Sequence, residues 1–184
     1  MKTSLIGFVF ALITFSGAQA QDIYKGTESF VSFFSSAPLE DIEAKNTKSV
    51  TTVLRLSDNK FQAEIKNKDF VFEKSLMQEH FNEKYMESDK YPVAKFSGVI
   101  QEKIDYKKEG VYSATVKGQM TMHGVTKDVE VKGKITVKGS SITIDAKFKI
   151  RVEDYKIPVP TLYIKNIAEI VDVTLKSTLK PFSK

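Results

Sequence analysis

The chain contains no cysteine. Disulfides, thiolate metal sites and a cysteine nucleophile are therefore excluded. A bacterial lipid anchor is excluded too, because it is built on a cysteine just after the export cleavage point. Tryptophan is also absent, so there is no Trp for the interfacial girdles of an outer-membrane barrel. The two histidines, His80 and His123, stand in no His-x-x-x-His or similar spacing, and a metal site would need them to converge with carboxylates. Gly-x-Ser-x-Gly does not occur, and no glycine-rich phosphate loop follows a strand. No enzyme, cofactor or metal site is expected.

Neither sign of charge dominates. The chain carries 28 Lys+Arg against 23 Asp+Glu, a formal net charge of +5. Lys107-Lys108 is the only adjacent basic pair. Nucleic-acid binders cluster basic residues on one face; here acidic residues are interspersed, and a solvated mixed surface is expected.

No apolar run reaches the roughly 20 residues that a membrane-spanning helix requires. Leu5–Gly17 is a shorter apolar run, preceded by Lys2 and followed by Ala18-Gln19-Ala20. That three-part order is expected to be a cleaved export signal over residues 1–20, with Gln21 as the mature N-terminus. A periplasmic or secreted protein without stable membrane insertion follows. Residues 21–184 suit one domain with a real core.

What the sequence has in abundance is period-two alternation. Within Val111–Met122, residues Tyr112, Ala114, Val116, Gly118, Met120 and Met122 share a face. Val125, Val129, Val131, Gly133, Ile135 and Val137 share another, with Lys127 as its one charged member. Ile142, Ile144, Ala146, Phe148 and Ile150 form a third, and Ile167, Val171, Val173, Leu175 and Leu179 a fourth. His123-Gly124 and Gly139-Ser140 mark the turns between the first three runs. Rougher strands are expected at Tyr24–Ser36, Ile42–Asn46, Val50–Leu56, Phe61–Phe72 and Ala94–Glu102. The frame slips near Asn67-Lys68-Asp69, where a bulge is expected. Ser75–Ser88 breaks the pattern with helical spacing. Ser75 and Gln78 fit a capping box, and Met77, Phe81 and Tyr85 step by four along one face.

About eight antiparallel strands with one apolar face must close on themselves or stack as two sheets. Consecutive hairpin signals favour an all-β, up-and-down barrel with one inserted α-helix. An eight-stranded barrel has room inside only for packed side chains or one small ligand. The Lys and Glu side chains of the polar faces would not fit, so those faces look to water and an outer-membrane barrel is excluded. The small residues among the inward positions are consistent with tight packing or with a cavity wall.

Thr121-Met122-His123-Gly124-Val125-Thr126-Lys127-Asp128-Val129 resembles the "hydrophobic, His-Gly-Val-Thr-Lys, any, Val" segment of the YceI-like family. Leu76–Ile100 resembles that family's helix leading into "Asp-x-x-x-Tyr-Pro-x-Ala-x-Phe". Glu153-Asp154-Tyr155-Lys156-Ile157 is similar to its "Arg-Ser-Asp-Phe-Gly-Ile" segment, with Glu153 for Ser and Lys156 for Gly. The resemblance runs through nearly the whole of residues 21–184. It implies a lipocalin-like barrel that binds, stores or transports a long-chain lipid, a polyisoprenoid or fatty-acid derivative, in the cell envelope.

On that reading the apolar wall comprises Phe30, Phe34, Leu54, Phe61, Phe96, Tyr112, Met120, Met122, Ile144, Phe148 and Val173. Met77, Phe81 and Tyr85 cover one mouth, and Tyr155 and Tyr163 lie near another. His123 and Lys127 are the candidate contacts to a ligand head group, although a turn position also suits His123 to a structural role. The alternative is an envelope stress-response or protein-interaction module with a solid core. Either reading is compatible with a homodimer.

Overall fold

The computed structural model describes residues 22–158 and 168–182. It holds ten strands: β1 (Ile23–Ser36), β2 (Asp41–Asn46), β3 (Val50–Arg55), β4 (Lys60–Lys66), β5 (Val71–Phe72), β6 (Val93–Ile100), β7 (Gly110–Met122), β8 (Val125–Lys138), β9 (Ser141–Arg151) and β10 (Ile170–Pro181). One short helix, α1 (Ser75–His80), lies between β5 and β6.

Eight of these strands close a barrel. Running round it, each barrel strand is hydrogen-bonded to the next one in the chain, in the order β1, β3, β4, β6, β7, β8, β9, β10, and an antiparallel β1–β10 pairing completes the ring. This is the up-and-down, one-helix barrel that the alternation predicts. The β1–β10 pairing leaves neither of these two strands as an open sheet edge.

β1 is long enough to serve two neighbours on one edge. Its first residues pair with β3 (Ile23↔Arg55 to Lys25↔Val53), and its last pair with β2 (Val31↔Asn46 to Ser36↔Asp41). β5 then adds to β2, so β2 and β5 form a flap that continues the wall beyond β3. Asn46 anchors the turn back into β3. Its carboxamide accepts the Lys48 and Ser49 amides and donates to the Lys66 carbonyl.

Two local expectations are corrected. The frame slip after β4 is not a bulge within one strand. Asn67–Asp69 is a 3₁₀ turn that ends β4 and sends Val71–Phe72 to pair with β2. Asn67 holds this break by donating from Nδ2 to the Tyr91 carbonyl at 2.6 Å. Nor is there a capping box. The residue before the helix is Lys74, with no side-chain cap, and Ser75 is already helical. Gln78 instead accepts the Phe72 amide. The α-helix lasts only to His80, and Phe81–Tyr85 continues as a π-helical turn in which the Met86 amide reaches back to Phe81.

The β7–β8 hairpin turns in two residues. Met122 pairs with Val125, and both His123 (φ 49°) and Gly124 (φ 72°) lie in the left-handed region. That is the geometry a type I′ turn demands. A Cβ on Gly124 would meet the Tyr91 ring at 2.6 Å.

The two ends of the barrel differ. At the end where β1 starts and β10 finishes, Leu54, Ile135, Val137, Ile142 and Leu179 are all but inaccessible, and Ile104 joins them in the same core. Near this plug three hydroxyls close on one another. Ser177 Oγ lies 2.7 Å from both Ser29 Oγ and Thr52 Oγ1, which are themselves 3.3 Å apart. The opposite end is covered by α1, its π turn and the β2–β5 flap.

Candidate functional site

Between the plug and the cover the barrel is hollow, with a cavity of about 520 Å³. Its wall follows from strand parity. β4 contributes Phe61, Ala63 and Ile65; β6 gives Ala94 and Phe96; β7 gives Ala114, Val116, Met120 and Met122. β8 adds Val131 and Ile135, β9 Ile144, Ala146, Phe148 and Ile150, and β10 Val171, Val173 and Leu175. The small residues read from the sequence thus border space: Ala63, Ala94, Ala114 and Ala146 all face it.

The cover is aromatic. Phe33 of β1, Phe70 just before β5, Phe72 of β5, and Phe81 of the π turn pack with ring centroids 5.1–5.7 Å apart. Met77, Tyr85 and Met86 face the cavity from the same segment. Among the polar lining residues at this end, Glu40 and Lys74 form an ion pair at 2.7 Å, and His80 of α1 also lines the cavity. An apolar body can fill this interior, whereas a buried polar group without a partner would cost roughly 2–7 kcal/mol.

Of the residues expected on the wall, the structure places Phe61, Phe96, Met120, Met122, Ile144, Phe148 and Val173 on it, and Met77, Phe81 and Tyr85 in its cover. Five others lie elsewhere. Phe30 and Phe34 sit on the outer face of β1. Phe30 carries the Lys45 ammonium 4.2 Å from its ring centroid, and Phe34 is exposed. The inward set is Val31, Phe33 and Ser35, because a register shift between Gly26 and Glu28 sets the frame of the rest of the strand. Leu54 is fully buried in the plug rather than beside the cavity. Tyr112 turns toward the same end, where its hydroxyl donates to the Lys108 carbonyl at 2.9 Å. Tyr155 is buried in a 3₁₀ turn, Val152–Tyr155, outside the cavity. Burial, with the nearby Asp154 charge, pushes its phenol above the usual tyrosine range. Tyr163 lies outside the described residues, as do Ile167 and the expected export signal.

The two candidate head-group residues are not on the cavity either. His123 is buried at the hairpin turn with both ring nitrogens engaged. Nδ1 faces the Tyr155 carbonyl at 3.2 Å, and Nε2 meets Glu87 Oε2 at 2.7 Å. Lys127 is exposed on the same face of β8 as Val131, opposite Met120, and borders the groove between β8 and β9 instead of the cavity. Among the described residues, no group of three His, Asp or Glu side chains could hold a metal ion, and no helix is long and apolar enough to cross a membrane.

The sequence reading missed Val31, Phe33, Phe70, Phe72 and Met86 as lining residues. Phe70 and Phe72 carry a usable signal, two apolar residues spaced by two just after the frame slip. Met86 carries none, since the π turn that brings it inward has no clear sequence mark.

A closed, eight-stranded antiparallel barrel, plugged at one end and hollow toward a helix-bearing cover, defines a lipocalin-like interior-binding class. Within that class the chain belongs to the YceI-like domain family, whose sequence model matches residues 24–179. Its fold is similar to a polyisoprenoid-binding domain from Saccharophagus degradans implicated in plant cell wall breakdown. That match has a TM-score of 0.73 at 14% identity and covers 89% of this chain and 100% of the other. It is also similar to Burkholderia cenocepacia BcnA (TM-score 0.68, 18% identity, covering 82% and 95%). The Campylobacter jejuni YceI protein matches at a TM-score of 0.58 and 16% identity, over 100% of both chains. No curated protein matches in sequence.

Proposed function

We propose that this protein is a non-enzymatic carrier or store for a long-chain apolar ligand, a polyisoprenoid or fatty-acid derivative, in the cell envelope. The carrying observation is the cavity of about 520 Å³ with its almost wholly aliphatic and aromatic wall. The volume is within the roughly 300–1,000 Å³ common for small-molecule sites. Met120 and Met122 let the wall adapt to a flexible chain. Family membership and the likeness to a polyisoprenoid-binding domain support the same reading. A solid-core interaction module is disfavoured, since only the plugged end of the interior is filled.

The polar rim at Glu40, Lys74 and His80, not His123 and Lys127, is where the polar end of such a ligand would meet protein groups. The test is organic extraction of the natively purified protein followed by mass spectrometry. Recovery of one long-chain species near one per chain is expected. Repeated recovery of none, together with failure of the delipidated protein to take up such a chain, overturns the proposal.

A further inference from the structure

The barrel wall has a seam. β8 and β9 pair only from Gly133↔Ala146 to Lys138↔Ser141. Toward the covered end they part company: residues 125–132 of β8 pair with β7 alone, and residues 147–151 of β9 pair with β10 alone. Between the separated stretches lies a groove of about 310 Å³ with a mixed, charged outer rim.

Met120, Val131, Phe148 and Ile150 line this groove, and the same four side chains line the cavity. Along the seam, the inside of the barrel is therefore divided from the outside by apolar side chains and not by a hydrogen-bonded ladder. Strands that are laddered lie only about 4.8 Å apart, and a chain could pass between them only by breaking their bonds. At the seam, passage needs rotamer changes, and one of the four side chains is a flexible methionine.

The top of the seam is fastened. The Val152–Tyr155 turn sits against it, and His123 joins the Tyr155 carbonyl to Glu87 beyond the helix. Passage beneath α1 would instead require separating the four packed phenylalanine rings.

We propose that the β8–β9 seam is the portal through which an apolar chain enters and leaves the cavity. The proposal rests on the ligand-holding reading above. In transit the chain slides sideways between Val131 and Phe148 while the aromatic cover stays shut.

The test staples the seam. Glu130 and Lys149 are exposed and face each other when the register is extended from Gly133↔Ala146. Their own ion-pair partners, Lys117 and Asp172, are on the surface, so the double variant Glu130→Cys/Lys149→Cys should fold. No other cysteine competes. A Thr51→Cys/Glu64→Cys variant spans the laddered β3–β4 pair as a control. Delipidated protein, linked with a short bis-maleimide or left reduced, is mixed with cis-parinaric acid, and uptake and release are followed by fluorescence. Linking the seam is expected to slow both rates tenfold or more at unchanged final occupancy, with less than a twofold change in the control. A seam link that matches the control overturns the portal alone and moves the entrance to α1. No uptake by the reduced proteins overturns the ligand-holding reading and the portal with it.

Discussion

The Phe33 and Phe81 rings stack with centroids 5.5 Å apart and planes 23° from parallel. One ring comes from the first barrel strand and the other from the π turn, so this contact helps fasten the cover to the wall. Both rings are only partly buried, so truncating either to alanine should cost less than a fully buried Phe, about 2 kcal/mol. The double variant should cost less than the sum by about 0.5–1.5 kcal/mol, the usual coupling of an aromatic pair. Urea unfolding of the four proteins measures the cycle; strict additivity would show that the two rings do not act together.

Filling the cavity should separate binding from folding. Ala63 and Ala114 both face it, so leucine at either position grows into space. Ala63→Leu and Ala114→Leu are expected to keep or raise the melting temperature while weakening uptake of an apolar probe at least tenfold. A loss of stability without a loss of uptake would mean that the space is not where the ligand sits.

The hairpin turn should discriminate sharply among substitutions at His123. Asparagine tolerates the left-handed region and should cost about 1–2 kcal/mol, the loss of the Glu87 contact. Isoleucine meets the same loss and adds backbone strain, so His123→Ile should be clearly worse than His123→Asn. Gly124→Ala combines positive φ with a clash against Tyr91 and should fall on the severe side. Chemical denaturation gives the order; equal costs for Asn and Ile would remove the turn from the explanation.

The hydroxyl cluster near the plug makes a further prediction. Ser177→Ala leaves Thr52 and Ser29 with only their 3.3 Å contact, so a loss of about 1–3 kcal/mol is expected for the buried, under-satisfied hydroxyls. Gly26→Ala should be worse, because its Cβ would lie 2.2 Å from Thr52 Oγ1 and 2.5 Å from Ser29 Oγ. Thermal melting of both variants tests the ranking.

Alkaline pH should weaken the fold through Tyr106. Burial pushes its phenol from 10.0 up to about 12, and its hydroxyl donates to Asn59 Oδ1 at 3.0 Å. The folded state holds the proton that the unfolded chain gives up first. The stabilisation is therefore complete below pH 10 and is lost as the pH rises through about 12. Stability measured from pH 9 to pH 11.5 should fall more steeply for the natural protein than for Tyr106→Phe; parallel curves would refute the assignment.

The sequence makes β7, β8 and β9 legible because each alternates between apolar or small and polar residues, with Lys127 the one charged exception, so only one face can be buried. β1 was not legible in the same way. In Phe30-Val31-Ser32-Phe33-Phe34 both parities carry large apolar residues, and the choice between them is made by a register shift upstream at Gly26. Leu54 is expected on the cavity wall and instead lies in the plug, because which level of the barrel is filled and which is hollow depends on side chains from distant strands. The partial pairing of β8 with β9 leaves one mark in the sequence, Lys127 on an otherwise apolar face, and a single charge does not say which neighbouring strand has parted. His123 announced its turn but not its partners, which come from 36 and 32 residues along the chain.

The β1–β10 pairing has a mechanical consequence. Tyr24 lies opposite Pro181, at the plugged end and far from the aromatic cover. Anything joined to either end of the barrel, whether a tether, a label or a solid support, grips the molecule by its sealed base. A barrel held that way presents its helix and cavity outward, so immobilised protein should take up an apolar probe as freely as protein in solution.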